Sequence, residues 1–153
     1  MKARTLIGIM LSLVLVYSSF AFTNSTVDQV KAKIDAGEDI LLLDVREPQE
    51  YREGHIRGAI NLPWNSGVLR EKYASLPKDK PIIVICRSGG RSAAASAFLE
   101  EQGYDQILNM IGGMNAWEYD TITGEEPGSE ECAEGPCLVT SSWGSLKASF
   151  QIE

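Results

Sequence analysis

The sequence predicts an α/β fold in which a parallel sheet is covered by helices on both faces. Two runs, Ile40-Leu41-Leu42-Leu43 and Ile82-Ile83-Val84-Ile85, are apolar at every position. A strand with one wet face alternates, so an unbroken apolar run of this length marks a strand buried on both faces, as in parallel sheets. Around these runs strand patterns alternate with helix patterns, the order that builds strand–helix–strand units. The chain has 153 residues, 44% of them hydrophobic, enough for one such domain and too few for two.

The first 21 residues stand apart from the fold. Lys2 and Arg4 make a short basic start, residues 6–16 are almost continuously apolar, and Ser19-Phe20-Ala21 is a small-x-small cleavage pattern. These are the three parts of a secretory signal peptide, and the apolar run is short for a bilayer span. Cleavage after Ala21 would remove two of the 14 basic residues and none of the 21 acidic ones, taking the net charge from −7 to −9. Such an acidic chain is a poor match for nucleic acid or anionic membrane surfaces, and no stable membrane anchor is expected. The expected location is the periplasm or the cell exterior, where disulfides persist.

The elements follow in order. Ser25-Thr26-Val27-Asp28 reads as a helix start with Ser25 as the cap; Val27, Val30 and Ile34 form its apolar stripe, and Gly37 ends it. The first apolar strand comes next and Asp44 ends it. Residues 48–52 make a short helical turn closed by Gly54. Residues 59–62 form a short strand stopped by Pro63, and residues 65–75 form a helix using Val68, Leu69 and Tyr73. Pro81 opens the second apolar strand. A helix over 91–102 follows and stops at Gly103. Residues 106–110 are a further strand, after which Gly112-Gly113 turn the chain into a last short helix ending near Trp117. Composition shifts from Thr121. Residues 124–136 are rich in Gly, Glu and Pro and read as a loop, while 138–153 carry scattered apolar residues that leave strands and a packed tail both open.

The most chemically informative stretch is Cys86-Arg87-Ser88-Gly89-Gly90-Arg91, on the turn between the second apolar strand and a helix. A cysteine at a helix N-terminus meets the positive end of the helix dipole, which favours the nucleophilic thiolate. Gly89 and Gly90 let the backbone curl so that several N–H groups face one point, and Arg87 and Arg91 add positive charge beside it. In parallel sheets ligands bind beyond the carboxyl ends of the strands, where both Asp44 and Cys86 lie.

The chain resembles the rhodanese family of sulfurtransferases in its single-domain form. Three stretches carry the resemblance: Asp44-Val45-Arg46-Glu47 with Glu50-Tyr51 and residues 54–63, the Cys86 loop, and Gly112-Gly113-Met114-Asn115-Ala116-Trp117. It implies a five-stranded parallel sheet and a domain over 22–127, preceded by the signal peptide 1–21 and followed by an extension over 128–153. The implied reaction is ping-pong sulfur transfer. Cys86 thiolate takes the outer sulfur of thiosulfate or a persulfide donor, and the persulfide then passes to cyanide or a thiol, with a periplasmic protein as a further candidate acceptor. No cofactor and no metal are called for. Cys86 is the implied nucleophile; Arg87 is assigned to the sulfonate end of thiosulfate, and Ser88, Gly89, Gly90 and Arg91 line the anion site. Arg91 at a helix start needs a compensating bound anion or a carboxylate such as Asp44 or Glu47. Asp44 and Arg46 are expected to pair and brace the loop. His55, the only histidine, is expected to be a structural hydrogen-bonding residue, and Trp64 and Trp117 to pack in the core or at its rim.

Two rival functions stay in view. Related cysteine phosphatases and arsenate reductases separate cysteine from arginine by five residues. Here four lie between Cys86 and Arg91, enclosing a smaller pocket suited to one sulfur atom. A non-catalytic persulfide carrier or binding module would keep the same loop. Three cysteines in an exported chain leave one unpaired, and the loop gives that role to Cys86. Cys132 and Cys137 then form a disulfide, which would stabilise by roughly 2 kcal/mol, or act as a sulfur relay for Cys86.

Overall fold

The computed structural model describes residues 22–124. The expected signal peptide and the extension bearing Cys132 and Cys137 lie outside the described residues. Five strands, β1 (Thr23–Ser25), β2 (Leu41–Asp44), β3 (Ala59–Asn61), β4 (Ile82–Ile85) and β5 (Ile107–Met110), form one sheet in the order β1-β5-β4-β2-β3. All four pairings are parallel, with Asp44 opposite Ile85 and Val84 opposite Asn109. The α-helices are α1 (Val27–Asp35), α2 (Pro48–Glu53), α3 (Val68–Lys72) and α4 (Gly90–Glu101).

Strand periodicity divides the core. Leu41, Leu43, Ile82 and Val84 point to one face and pack with Leu69 of α3 and with Ala95 and Leu99 of α4. Leu42, Ile83 and Ile85 point to the other and pack with Val27 and Val30 of α1 and Tyr51 of α2. The two apolar runs therefore feed two cores, as a helix-covered parallel sheet requires. Cys86 is the next even-numbered position after Ile82 and Val84, and its side chain joins the α3–α4 core.

Beyond shifts of one residue at several ends, the cap of α1, the strand β1 and the length of α3 differ from the sequence reading. Thr26, not Ser25, caps α1: its hydroxyl accepts from the Gln29 N–H, and the Gln29 side chain accepts from the Thr26 N–H. Ser25 instead ends β1, a strand that Thr23-Asn24-Ser25 does not advertise, because its sheet pairing to β5 rather than apolar alternation holds it. The helix expected over 65–75 shrinks to α3 followed by a 3-10 turn at Tyr73–Ser75, starting only after left-handed Gly67.

Candidate active site

Cys86 leaves the end of β4 and α4 begins four residues later, so the strand aims the cysteine at the helix N-terminus. Its side chain is buried, and the thiol accepts the Gly89 N–H at 3.1 Å. Gly89 caps α4 with φ 99°, a left-handed conformation open to glycine at low cost, and that turn points its N–H back at the sulfur. The Ser92 hydroxyl on the first turn of α4 stands 3.3 Å from the sulfur. Burial alone pushes the Cys86 thiol up, but hydrogen bonding from the Ser92 hydroxyl and the backbone N–H groups of Ser92, Ser88 and Gly89 outweighs it. The thiol ends below its ordinary value. These donors favour the thiolate form of Cys86.

A second loop buttresses the first. After β5, Gly112 and Gly113 take φ 81° and 58°, and the 3-10 turn Gly113–Ala116 slides under the cysteine loop. Met114 N–H donates to the Cys86 carbonyl at 2.8 Å, and Asn115 N–H to the Arg87 carbonyl at 2.9 Å. The fit leaves no room for a side chain: a Cβ on Gly113 would lie within 2.7 Å of three backbone atoms of Cys86 and Arg87.

The carboxylate opposite Arg91 is Glu50, not Asp44 or Glu47. Both guanidinium NH2 groups engage it, at 2.7 and 2.8 Å, joining the start of α4 to α2. This hydrogen bond holds Glu50 below the usual carboxylate range and raises Arg91 further. Glu47 acts on Arg91 only at longer range. Asp44 is committed elsewhere: both of its carboxylate oxygens accept from Arg46, the shortest contact being 2.6 Å, and Arg46 also donates to the Gly54 carbonyl. Both side chains are buried, and the Val45 N–H donates to the Ile85 carbonyl just before Cys86. Asp44 and Arg46 thus pair with each other and with the Gly54 carbonyl, while the bond from the end of β2 to the base of the loop is made by the Val45 backbone.

Arg87 is exposed at the rim, and among the described residues no carboxylate engages its guanidinium. The Ser88 side chain is also exposed, so its share in the site is its backbone N–H. Gly90 opens α4. His55 is buried elsewhere, its Nδ1–H donating to the Tyr51 carbonyl at 2.9 Å and its ring stacked on Tyr51 at 3.6 Å. Trp117 is buried in the α1–α2 core, and half-buried Trp64 packs against the other.

Sequence reasoning missed Glu50 as the partner of Arg91, and missed Ser92 and Asn109. Ser92 carried a signal: with Ala95 and Leu99 it lies on the buried stripe of α4, and a polar residue at a core position calls for a partner. Gly112-Gly113, read only as a turn, are the platform beneath the loop; paired glycines after a strand also signal close backbone approach.

Comparison with known proteins agrees with this fold. Residues 26–120 match the rhodanese-like domain model. A sulfurtransferase of Allochromatium vinosum is 42% identical over 80 residues, spanning 52% of this chain and 73% of that protein. A thiosulfate sulfurtransferase of Pseudoalteromonas translucida is 34% identical over 98 residues, spanning 64% and 90%. The crystal structure of a rhodanese-related protein from Thermoplasma volcanium superposes with a TM-score of 0.60 at 36% identity, over 67% of this chain and 100% of that one.

Proposed function

The chain belongs to the rhodanese-like domain family, and from that premise we propose that it is an exported sulfurtransferase working through a Cys86 persulfide. The observation that carries the reading is the buried thiol at the start of α4, facing the Gly89 N–H at 3.1 Å beside the Arg91–Glu50 pair. Cys86 thiolate attacks the outer sulfur of thiosulfate or of a persulfide donor. The donor S–S bond breaks, its electron pair leaves with sulfite or the donor thiolate, and Cys86 keeps the sulfane sulfur. Cyanide or a thiolate then attacks that sulfur, the new S–S bond breaks, and the pair returns to Cys86. The loop N–H groups stabilise both anionic states of the site without rearranging, as in an oxyanion hole. Arg91 is already satisfied by Glu50, so the loop's remaining cation for an incoming anion is Arg87.

Turnover of thiosulfate with cyanide by the mature chain tests the reading, and Arg87→Ala tests the donor assignment. Losing a charged hydrogen bond to the sulfonate should raise the apparent KM for thiosulfate by about tenfold and leave kcat within about twofold. An unchanged KM would make Arg87 a bystander. The signal segment motivates the proposed export to the periplasm, and the proposed bridge between Cys132 and Cys137 would keep two further thiols away from the persulfide.

A further inference from the structure

The Ser92 hydroxyl has one hydrogen and three acceptors in reach. Asn109 Oδ1 lies at 2.6 Å, the Gly89 carbonyl at 3.1 Å and Cys86 Sγ at 3.3 Å. Ser92 and Asn109 are both buried. Beyond them Asn109 Nδ2 donates to Asn24 Oδ1 at 2.9 Å, and Asn24 sits exposed on strand β1 at the sheet edge. A polar chain therefore runs from solvent to the sulfur through two amides and one hydroxyl.

With a neutral thiol, the shortest contact claims the hydrogen for Asn109. A sulfur anion is the stronger acceptor, because hydrogen bonds to charged groups exceed those to neutral ones. Turning the Ser92 hydrogen to the sulfur would strand Asn109 Oδ1 in a buried site, which is costly. An amide offers a way out: rotation about its last torsion exchanges Oδ1 and Nδ2 while keeping its shape.

We propose that Asn109 is a positioning residue whose amide reverses when Cys86 carries an anionic sulfur, so that the Ser92 hydroxyl donates to that sulfur. In the reversed chain Asn109 Nδ2 donates to Ser92 Oγ and the Ser92 O–H donates to Cys86. Asn24, free to rotate at the surface, donates its Nδ2–H to Asn109 Oδ1. No proton changes heavy atom. Every buried polar atom keeps a partner in both states, so the charge on sulfur selects between them. The charged groups around Cys86 are Arg91 with Glu50 and Glu47 beyond it, Arg87 at the rim, and the internally paired Asp44 and Arg46. Strand β5 brings no charge. None of these groups is altered in the variants below. The inference deepens the sulfurtransferase reading but needs only that Cys86 ionise.

The test is the pH dependence of Cys86 alkylation by iodoacetamide, followed at the Cys86 peptide by mass spectrometry in the full chain. Ser92→Ala should slow alkylation at pH 7 by about tenfold, from loss of a hydrogen bond to the anion. Asn109→Leu should slow it by about threefold, since Ser92 loses the donor that polarises it. The double variant should match Ser92→Ala, because Asn109 acts only through Ser92. Faster or unchanged alkylation in Asn109→Leu would mean that Asn109 merely competes for the hydrogen, and a double variant slower than Ser92→Ala would mean that it acts by packing; either overturns the proposal. Should Asn109→Leu fail to fold, NMR of the wild type decides. The Asn109 amide hydrogens should contact Asn24 below the Cys86 midpoint and Ser92 above it, and an unchanged pattern overturns the proposal. Thiosulfate–cyanide turnover is read separately. Its absence beside the expected alkylation series would remove the sulfur-transfer reading and leave the reversal standing.

Discussion

Cys86→Ser is expected to abolish thiosulfate-dependent thiocyanate formation, a loss on the order of 10³-fold or more for a covalent nucleophile. The replacement is nearly isosteric and keeps a group able to accept the Gly89 N–H, so the α3–α4 core that Cys86 joins should survive. What it removes is chemistry: a serine hydroxyl stays protonated at neutral pH and forms no persulfide. Unfolding by circular dichroism should occur within a few degrees of the wild type, which separates lost chemistry from lost structure. Residual turnover near the wild-type rate would sink the assignment of the nucleophile.

Gly113→Ala should have the largest effect on stability. Its φ of 58° strains any other residue, and the added Cβ would sit 2.4 Å from the Cys86 carbonyl oxygen and 2.6 Å from the Arg87 carbonyl carbon. Neither atom can swing aside, because both are backbone held by the Met114 and Asn115 N–H bonds. Left-handed strain and overpacking of one to three kcal/mol each suggest a loss of about 3 kcal/mol or more. For a domain of this size that lowers Tm by more than about 10 °C. Gly37→Ala is the control. It has a similar φ of 67° but nothing within 4 Å of the new Cβ, so only the strain remains. Thermal melts should separate the two variants, and turnover should fall only in Gly113→Ala. Equal losses would show that the contact between the two loops relaxes freely.

The parts legible in the sequence are those where one residue type has one physical use. The apolar runs of β2 and β4 read as doubly buried strands, and Cys86 with its glycines reads as a turn built around a sulfur. The parts that escaped depend on partners distant in the chain. β1 is three polar residues made into a strand by β5, and nothing local announces that pairing. Arg91 plainly needed a counter-charge, but four carboxylates, Asp44, Glu47, Glu50 and Glu53, lie within ten residues of one another. The choice of Glu50 follows from how α2 packs against the start of α4. Asn109 looked like one polar residue in a short strand; only the neighbouring strand β1 and the helix above the sheet give it two partners.

The most direct measurement is the intact mass of the mature chain after exposure to thiosulfate, then to cyanide. A Cys86 persulfide predicts a gain of one sulfur atom, located by peptide mapping to Cys86, absent from Cys86→Ser and removed by cyanide with release of thiocyanate. No added sulfur, or sulfur that maps to another residue and persists in Cys86→Ser, would contradict the account.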